Sequence, residues 1–206
     1  MFPAMSPHLV GTAVALLSLL FTAGCGSGGG DDAADPVETH TAANGDVFNE
    51  ADARFASDML QHHAQALAMV DLTLGRDLEP ELAALAEDIR AAQAPEIQTF
   101  TEWLTAWDQP VPETVRDHAN AHGDGSMAAP EMPGMVDAGD MDELEAARGA
   151  EFQRLWLQLM IEHHEGAAQM AGDEVAEGEF QPAVDLAESI EESQGAEIDR
   201  MKAMLG

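Results

Sequence analysis

The feature that most constrains this chain is a motif that occurs twice. The first copy reads Met59-Leu60-Gln61-His62-His63-Ala64-Gln65-Ala66-Leu67-Ala68-Met69, and the second reads Met160-Ile161-Glu162-His163-His164-Glu165-Gly166-Ala167-Ala168-Gln169-Met170. Two histidines, an alanine and the flanking methionines fall at the same steps, from His62 to His163 an offset of 101 residues. The register holds without a gap beyond the motif: Phe55 maps to Trp156, Ile89 to Ile190, Gln93 to Gln194, Glu96 to Glu197 and Ile97 to Ile198. Such a repeat demands two similar units, each presenting imidazole and thioether groups in the same place.

Hydrophobic spacing makes those units helical. Helix one is expected from Asn49, a good cap, to Gly75, with Phe55, Met59, His62, Ala66 and Met69 on one face and Leu60, His63, Leu67, Val70 and Leu74 beside them. Helix two is expected from about Leu78 to Trp107, with Gln93 inside its apolar stripe and Glu96 at the edge. Pro95 should kink it, since proline removes a backbone donor and clashes one turn back; the second half has Ala196 there. Helix three is expected to open with a capping box at Asp140 and Glu143 and to run to about Val175. Gly166 would let a neighbouring helix approach it. Helix four follows Pro182, with Val184, Ala187, Ile190, Gln194, Ile198 and Met201 as its stripe. No stretch reads as a strand. Two helical hairpins joined by one long crossover, residues 108–140, predict an all-α, ferritin-like four-helix bundle over 49–206.

The start of the chain is a different kind of segment. Residues 1–24 hold an apolar run, Val10 to Phe21, too short to span a bilayer comfortably, and small residues lead into Cys25, the only cysteine. This arrangement resembles a bacterial lipoprotein signal, with Cys25 as the lipidated first residue of the mature chain. No Lys or Arg precedes the apolar run, where a positive segment is expected. Residues 25–48 read as a flexible tether, His40 being incidental to it. The expected location is the cell envelope, on the extracytoplasmic face of a bacterial membrane. With one cysteine, neither disulfides nor thiolate metal sites support the fold. The formal net charge of −31 repels nucleic acid and attracts cations.

Four imidazoles at one level of a bundle interior would each need a partner. A core filled by hydrogen-bonded histidines is one reading. Metal coordination is the other, and it also accounts for Met59, Met69, Met160 and Met170. Thioether with imidazole suits copper, most naturally Cu(I). Gln93 and Gln194 would orient the imidazoles, while Glu96 and Glu197 supply negative charge. The carboxylates keep zinc or manganese as alternatives, but no Glu-x-x-His motif of a di-iron bundle occurs. His118, His122, Met127, Met132 and Met135 in the crossover form a possible accessory copper-collecting segment, or an acidic linker that happens to carry methionines.

The chain resembles the bacterial family called domain of unknown function 305, placed among ferritin-like folds. The resemblance rests on Phe55, Met59, His62-His63, Ala66 and Met69, then on Gln93, Glu96-Ile97 and Trp103-Leu104. It continues through Met132-Pro133-Gly134-Met135, Phe152, Met160, His163-His164-Glu165-Gly166-Ala167, Met170, Gln194 and Glu197-Ile198. Pro95 departs from the family's Gln-x-x-Glu-Ile segment and is expected to disturb the geometry around Glu96. The family includes secreted and periplasmic proteins, some implicated in copper binding and tolerance. The resemblance therefore implies copper-site roles for the doubled histidines and flanking methionines. The function expected is membrane-tethered copper sequestration, delivery or tolerance, with a metal-transfer protein as partner. A bundle-housed metallo-enzyme or redox protein, or a structural interaction module without metal, are the alternatives.

Overall fold

Asn49 begins the first long helix by the mechanism its residue type allows. Its side chain accepts from the backbone N–H groups of Ala51 and Asp52, and Asp52 accepts from the Asn49 N–H in return. This computed structural model describes residues 38–118 and 132–206. Four long helices dominate: α1 (Glu50–Asp71), α2 (Pro80–Ala106), α5 (Gly149–Glu177) and α6 (Gln181–Leu205). Two short ones, α3 (Val115–His118) and α4 (Ala138–Ala146), lie in the crossover. Helix α1 packs along α2, α5 packs along α6, and α1 against α5 joins the halves. This is the four-helix arrangement of two repeated hairpins that the 101-residue offset demands. Among the described residues no helix is long and apolar enough to cross a membrane.

The structure departs from the sequence expectations in two places. Thr39–Thr41 (β1) and Val47–Asn49 (β2) pair as an antiparallel hairpin, where residues up to 48 were expected to be a tether and no strand was expected at all. The hairpin turns at Asn44-Gly45, with Gly45 at φ +96°, and Phe48 stacks on Trp107 with ring centroids 4.6 Å apart. Helix three is broken: α4 is capped by Asp137, whose side chain accepts from the Asp140 N–H, and the chain turns at Ala147-Arg148 before α5 begins. The expected box at Asp140 and Glu143 therefore sits inside a separate short helix. Arg76 holds this corner by donating to the Ala147 and Glu145 carbonyls while its guanidinium lies over the Phe152 ring, 3.9 Å from the centroid. Helix α2 runs unbroken through Pro95, which is exposed.

The core consists of two apolar clusters. One contains Met69, Val70, Leu82, Leu85, Ile89, Phe152, Trp156 and Met160; the other contains Phe55, Met59, Leu60, Phe100, Leu104, Ala167 and Ile190. Along both α1 and α5, the histidine pair falls between residues of one cluster and residues of the other. Each fully buried large side chain contributes roughly 1.5–3 kcal/mol. The polar layer is thus walled by low-dielectric surface at both ends.

Candidate metal centre

His62, His63, His163 and His164 are all fully buried, each at 0% exposure. Helical spacing on α1 and α5 brings the two pairs face to face: the His62 and His163 rings lie 3.7 Å apart between centroids, at an interplanar angle of 37°. The other member of each pair turns outward to its own hairpin. His63 Nε2 meets Glu96 Oε2 at 2.8 Å, and His164 Nε2 meets Glu197 Oε2 at 2.8 Å. Pro95 leaves Glu96 as close to its histidine as Glu197 is, so the disturbance expected there does not occur.

Burial decides the charge of the inner pair. Desolvation first, and then the neighbouring His63, push His62 down to about 3. The same causes, burial ahead of His62 and His164, hold His163 well below the usual imidazole range. Both rings are therefore neutral at pH 7. Their tautomers follow from their partners. The Pro133 carbonyl can only accept, so His62 Nε2 donates to it at 3.0 Å and the lone pair remains on Nδ1. The Glu96 and Glu197 carboxylates accept from Nε2 of His63 and His164, which leaves Nδ1 of each ring as its free position.

Those lone pairs have no protein partner among the described residues. His62 Nδ1, His63 Nδ1, His164 Nδ1 and both nitrogens of His163 are buried and unbonded. Gln93 and Gln194 do not fill the role expected of them: neither amide atom of Gln93, nor Gln194 Oε1, has a partner. Glu96 and Glu197 orient the imidazoles instead. An unpaired buried polar group costs about 1–3 kcal/mol, so five such nitrogens in one layer are expensive as a purely structural arrangement. As ligands, neutral imidazoles with free lone pairs fit a late first-row metal. Met59 and Met170 belong to the apolar wall on one side, Met69 and Met160 to the wall on the other. Met170 is partly buried and the other three are fully buried. No group of three or more His, Cys, Asp or Glu side chains among the described residues forms a preassembled cage.

The crossover contributes a group that sequence reasoning missed, because it is backbone. The turn Met132-Pro133-Gly134-Met135 lies on α5 at Gly166, where an added Cβ would stand 2.1 Å from the Pro133 oxygen. Gly166 thus admits this turn and not a neighbouring helix. Gly134, at φ +74°, needs glycine both for that conformation and for its approach to the Glu162 carbonyl. Gln65 holds the other end, donating to the Val136 carbonyl and accepting from the Val136 N–H, both at 2.8 Å. Met132 and Met135, expected in a flexible collecting segment, are half-buried in this turn. His118 ends α3, while His122, Met127 and Cys25 lie outside the described residues.

A protein-family model described as "Domain of unknown function (DUF305)" matches residues 52–205. The chain belongs to the DUF305 family. Solved DUF305 structures share its fold. A secreted DUF305 protein from Streptomyces coelicolor is 33% identical, with a TM-score of 0.64, over 75% of this chain and 91% of that one. A DUF305 fragment from Deinococcus radiodurans is 28% identical, with a TM-score of 0.65, over 81% of this chain and 99% of that one. The Cu(II)-bound form of CopM is 30% identical, with a TM-score of 0.60, over 75% of this chain and 95% of that one. CopM also has Cu(I)-bound and Ag-bound forms. No curated protein sequence matches this DUF305 chain.

Proposed function

We propose that this DUF305 protein binds copper outside the cytoplasm through its four-histidine layer, sequestering it or handing it on without catalysing a reaction. The observation that carries this reading is the layer of five buried, unbonded imidazole nitrogens at the α1–α5 seam. The inner rings, His62 and His163, are neutral and offer lone pairs without competition from protons, while carboxylates on Nε2 fix the orientation of His63 and His164. Buried methionines on either side supply soft donors or a soft wall, which favours Cu(I) over zinc or manganese. The copper- and silver-bound forms of CopM support the choice of metal, and the secreted relative supports an extracytoplasmic location. In this reading Cys25 carries a lipid that tethers the domain, and the acidic surface concentrates cations around it.

Binding to the folded bundle alone must raise its stability by mass action. At a free Cu(I) concentration a hundredfold above the dissociation constant, the gain is about 2.7 kcal/mol. Calorimetric melting of the metal-free and loaded protein reads that gain directly. Replacing His62, His63, His163 and His164 together with Gln should remove the shift while far-UV circular dichroism keeps its helical signal. A full Cu(I)-dependent shift in that variant would make the layer structural and end this reading.

A further inference from the structure

We propose that a second site, for a soft monovalent cation such as Cu(I) or Ag(I), lies in the surface cleft between Met132 and Met170 and serves as the loading port of the histidine layer. The port's role rests on the copper reading above; the site itself rests on separate observations. The cleft has a volume of about 180 Å³ and is lined by both thioethers together with Asp58, Asp173 and Glu174. Pro133 also lines it, and the carbonyl of that same residue accepts from His62 Nε2 at 3.0 Å. One residue therefore separates the cleft from the buried layer.

Glu174 is the group that most needs a ligand. It is only 1% exposed, and neither carboxyl oxygen has a hydrogen-bond donor among the described residues. The neighbouring Asp52 is already occupied, accepting from the N–H groups of Asn49, Glu179 and Phe180. Burial first, and then the neighbouring Asp52, push Glu174 up to about 9. Arg54, the one cationic side chain lining the cleft, reaches away to Glu177 at 3.2 Å. The lining is therefore net negative and poor in donors, with two thioethers at hand. That combination suits a soft cation better than an anion or a neutral ligand.

The internal repeat supplies a control within the molecule. Shifted by 101 residues, Asp58 corresponds to Leu159, Asp173 to Leu72, Glu174 to Thr73 and Met170 to Met69. At the repeat-equivalent positions, which also span α1 and α5, Leu159 and Met69 are buried in one apolar cluster, with Leu72 packed against it. The same framework is thus a closed core at one end and an acidic, thioether-lined cleft at the other. Packing alone does not call for Asp58 and Asp173 where their equivalents are leucines.

The test uses the full chain labelled with [methyl-¹³C]methionine and titrated with Ag(I), which is soft and redox-inert. The Met132 and Met170 methyl resonances should shift, in the wild type and in the quadruple His→Gln variant alike. Met132→Leu, close in volume and outside the methionines that flank the histidine pairs, should weaken the cleft's Ag(I)-binding step by calorimetry while keeping the histidine-dependent melting shift. As a check independent of packing, Asp173→Asn at an exposed position should weaken cleft binding roughly twofold to fivefold. Unmoved Met132 and Met170 methyls, or unchanged Ag(I) affinity in Met132→Leu, would overturn the port. Failure of the histidine reading looks different: the quadruple variant would keep its melting shift while the cleft methyls still respond.

Discussion

In the α1–α2 half His63 bonds Glu96 at 2.8 Å, and in the α5–α6 half His164 bonds Glu197 at 2.8 Å, each across 33 residues of chain. The inner histidines lack this equivalence: His62 is held by Pro133, whereas His163 makes no bond to the crossover among the described residues. His62 and His163 are repeat equivalents, and their rings meet, tilted by 37°, where the symmetry implied by the repeat would place its centre. The crossover breaks that symmetry. It does so at one repeat position, since Gln65 and Gly166 correspond: the first grips Val136 and the second makes room for Pro133. Duplicated helices thus built a symmetric polar layer, and a single divergent pair of positions seated an unsymmetric strap on it.

The largest effect should come from filling the room left by Gly166. In Gly166→Val the new side chain meets the Pro133 backbone, which cannot rotate away, and a loss of about 3 kcal/mol or more is expected by denaturant unfolding. Gln65→Ala removes both bonds to Val136 and strands two buried backbone groups, for about 2 kcal/mol by the same measurement. If both variants prove neutral, the strap does not depend on this pair of positions.

Much of this was legible in the sequence because the repeat and the helical period reinforce each other. The four long helices, the histidine pairs and the equivalence of Glu96 with Glu197 all follow from spacing. What escaped depends on contacts that spacing does not carry. Strands of three residues are too short to show a period, although Asn44-Gly45 between Thr39-His40-Thr41 and Val47-Phe48 was an available hairpin signal. The Pro133 carbonyl is backbone and identical in every residue type. Gln93 and Gln194 were assigned the imidazole bonds from their place in the stripe, but the glutamates three residues on made them.

Those glutamates allow a sharper comparison of the halves. Glu96→Gln and Glu197→Gln should each weaken Cu(I) binding tenfold to a hundredfold, and by similar factors, because the two geometries match. Competition titrations against a Cu(I) chelator measure both. Unequal losses would show that the site belongs to one half.

The smallest effect is the pH dependence of the metal-free protein. His62, lowered in the folded state to about 3, binds its proton more readily unfolded, so its contribution is complete above about pH 6.5 and falls as pH drops towards 3. His163 acts in the same direction. Glu174, raised to about 9, does the reverse: its contribution is complete below about pH 4.5 and is lost as pH rises towards 9. Each proton changes stability by roughly 1 kcal/mol per pH unit. These groups place the maximum near pH 6.5, and Glu174→Gln should flatten the alkaline limb of a melting profile and steepen the acid limb above about pH 4.5.

The spacing of the histidine contacts along the chain also orders them in time. His63 with Glu96 and His164 with Glu197 each close loops of 33 residues inside one hairpin, so they can form while the halves are still apart. The stack of His62 on His163 must wait for the hairpins to dock across 101 residues of intervening chain. A nascent chain that has made its first hairpin thus carries half of the layer exposed on one face. The enclosed layer can be completed only after both hairpins have formed.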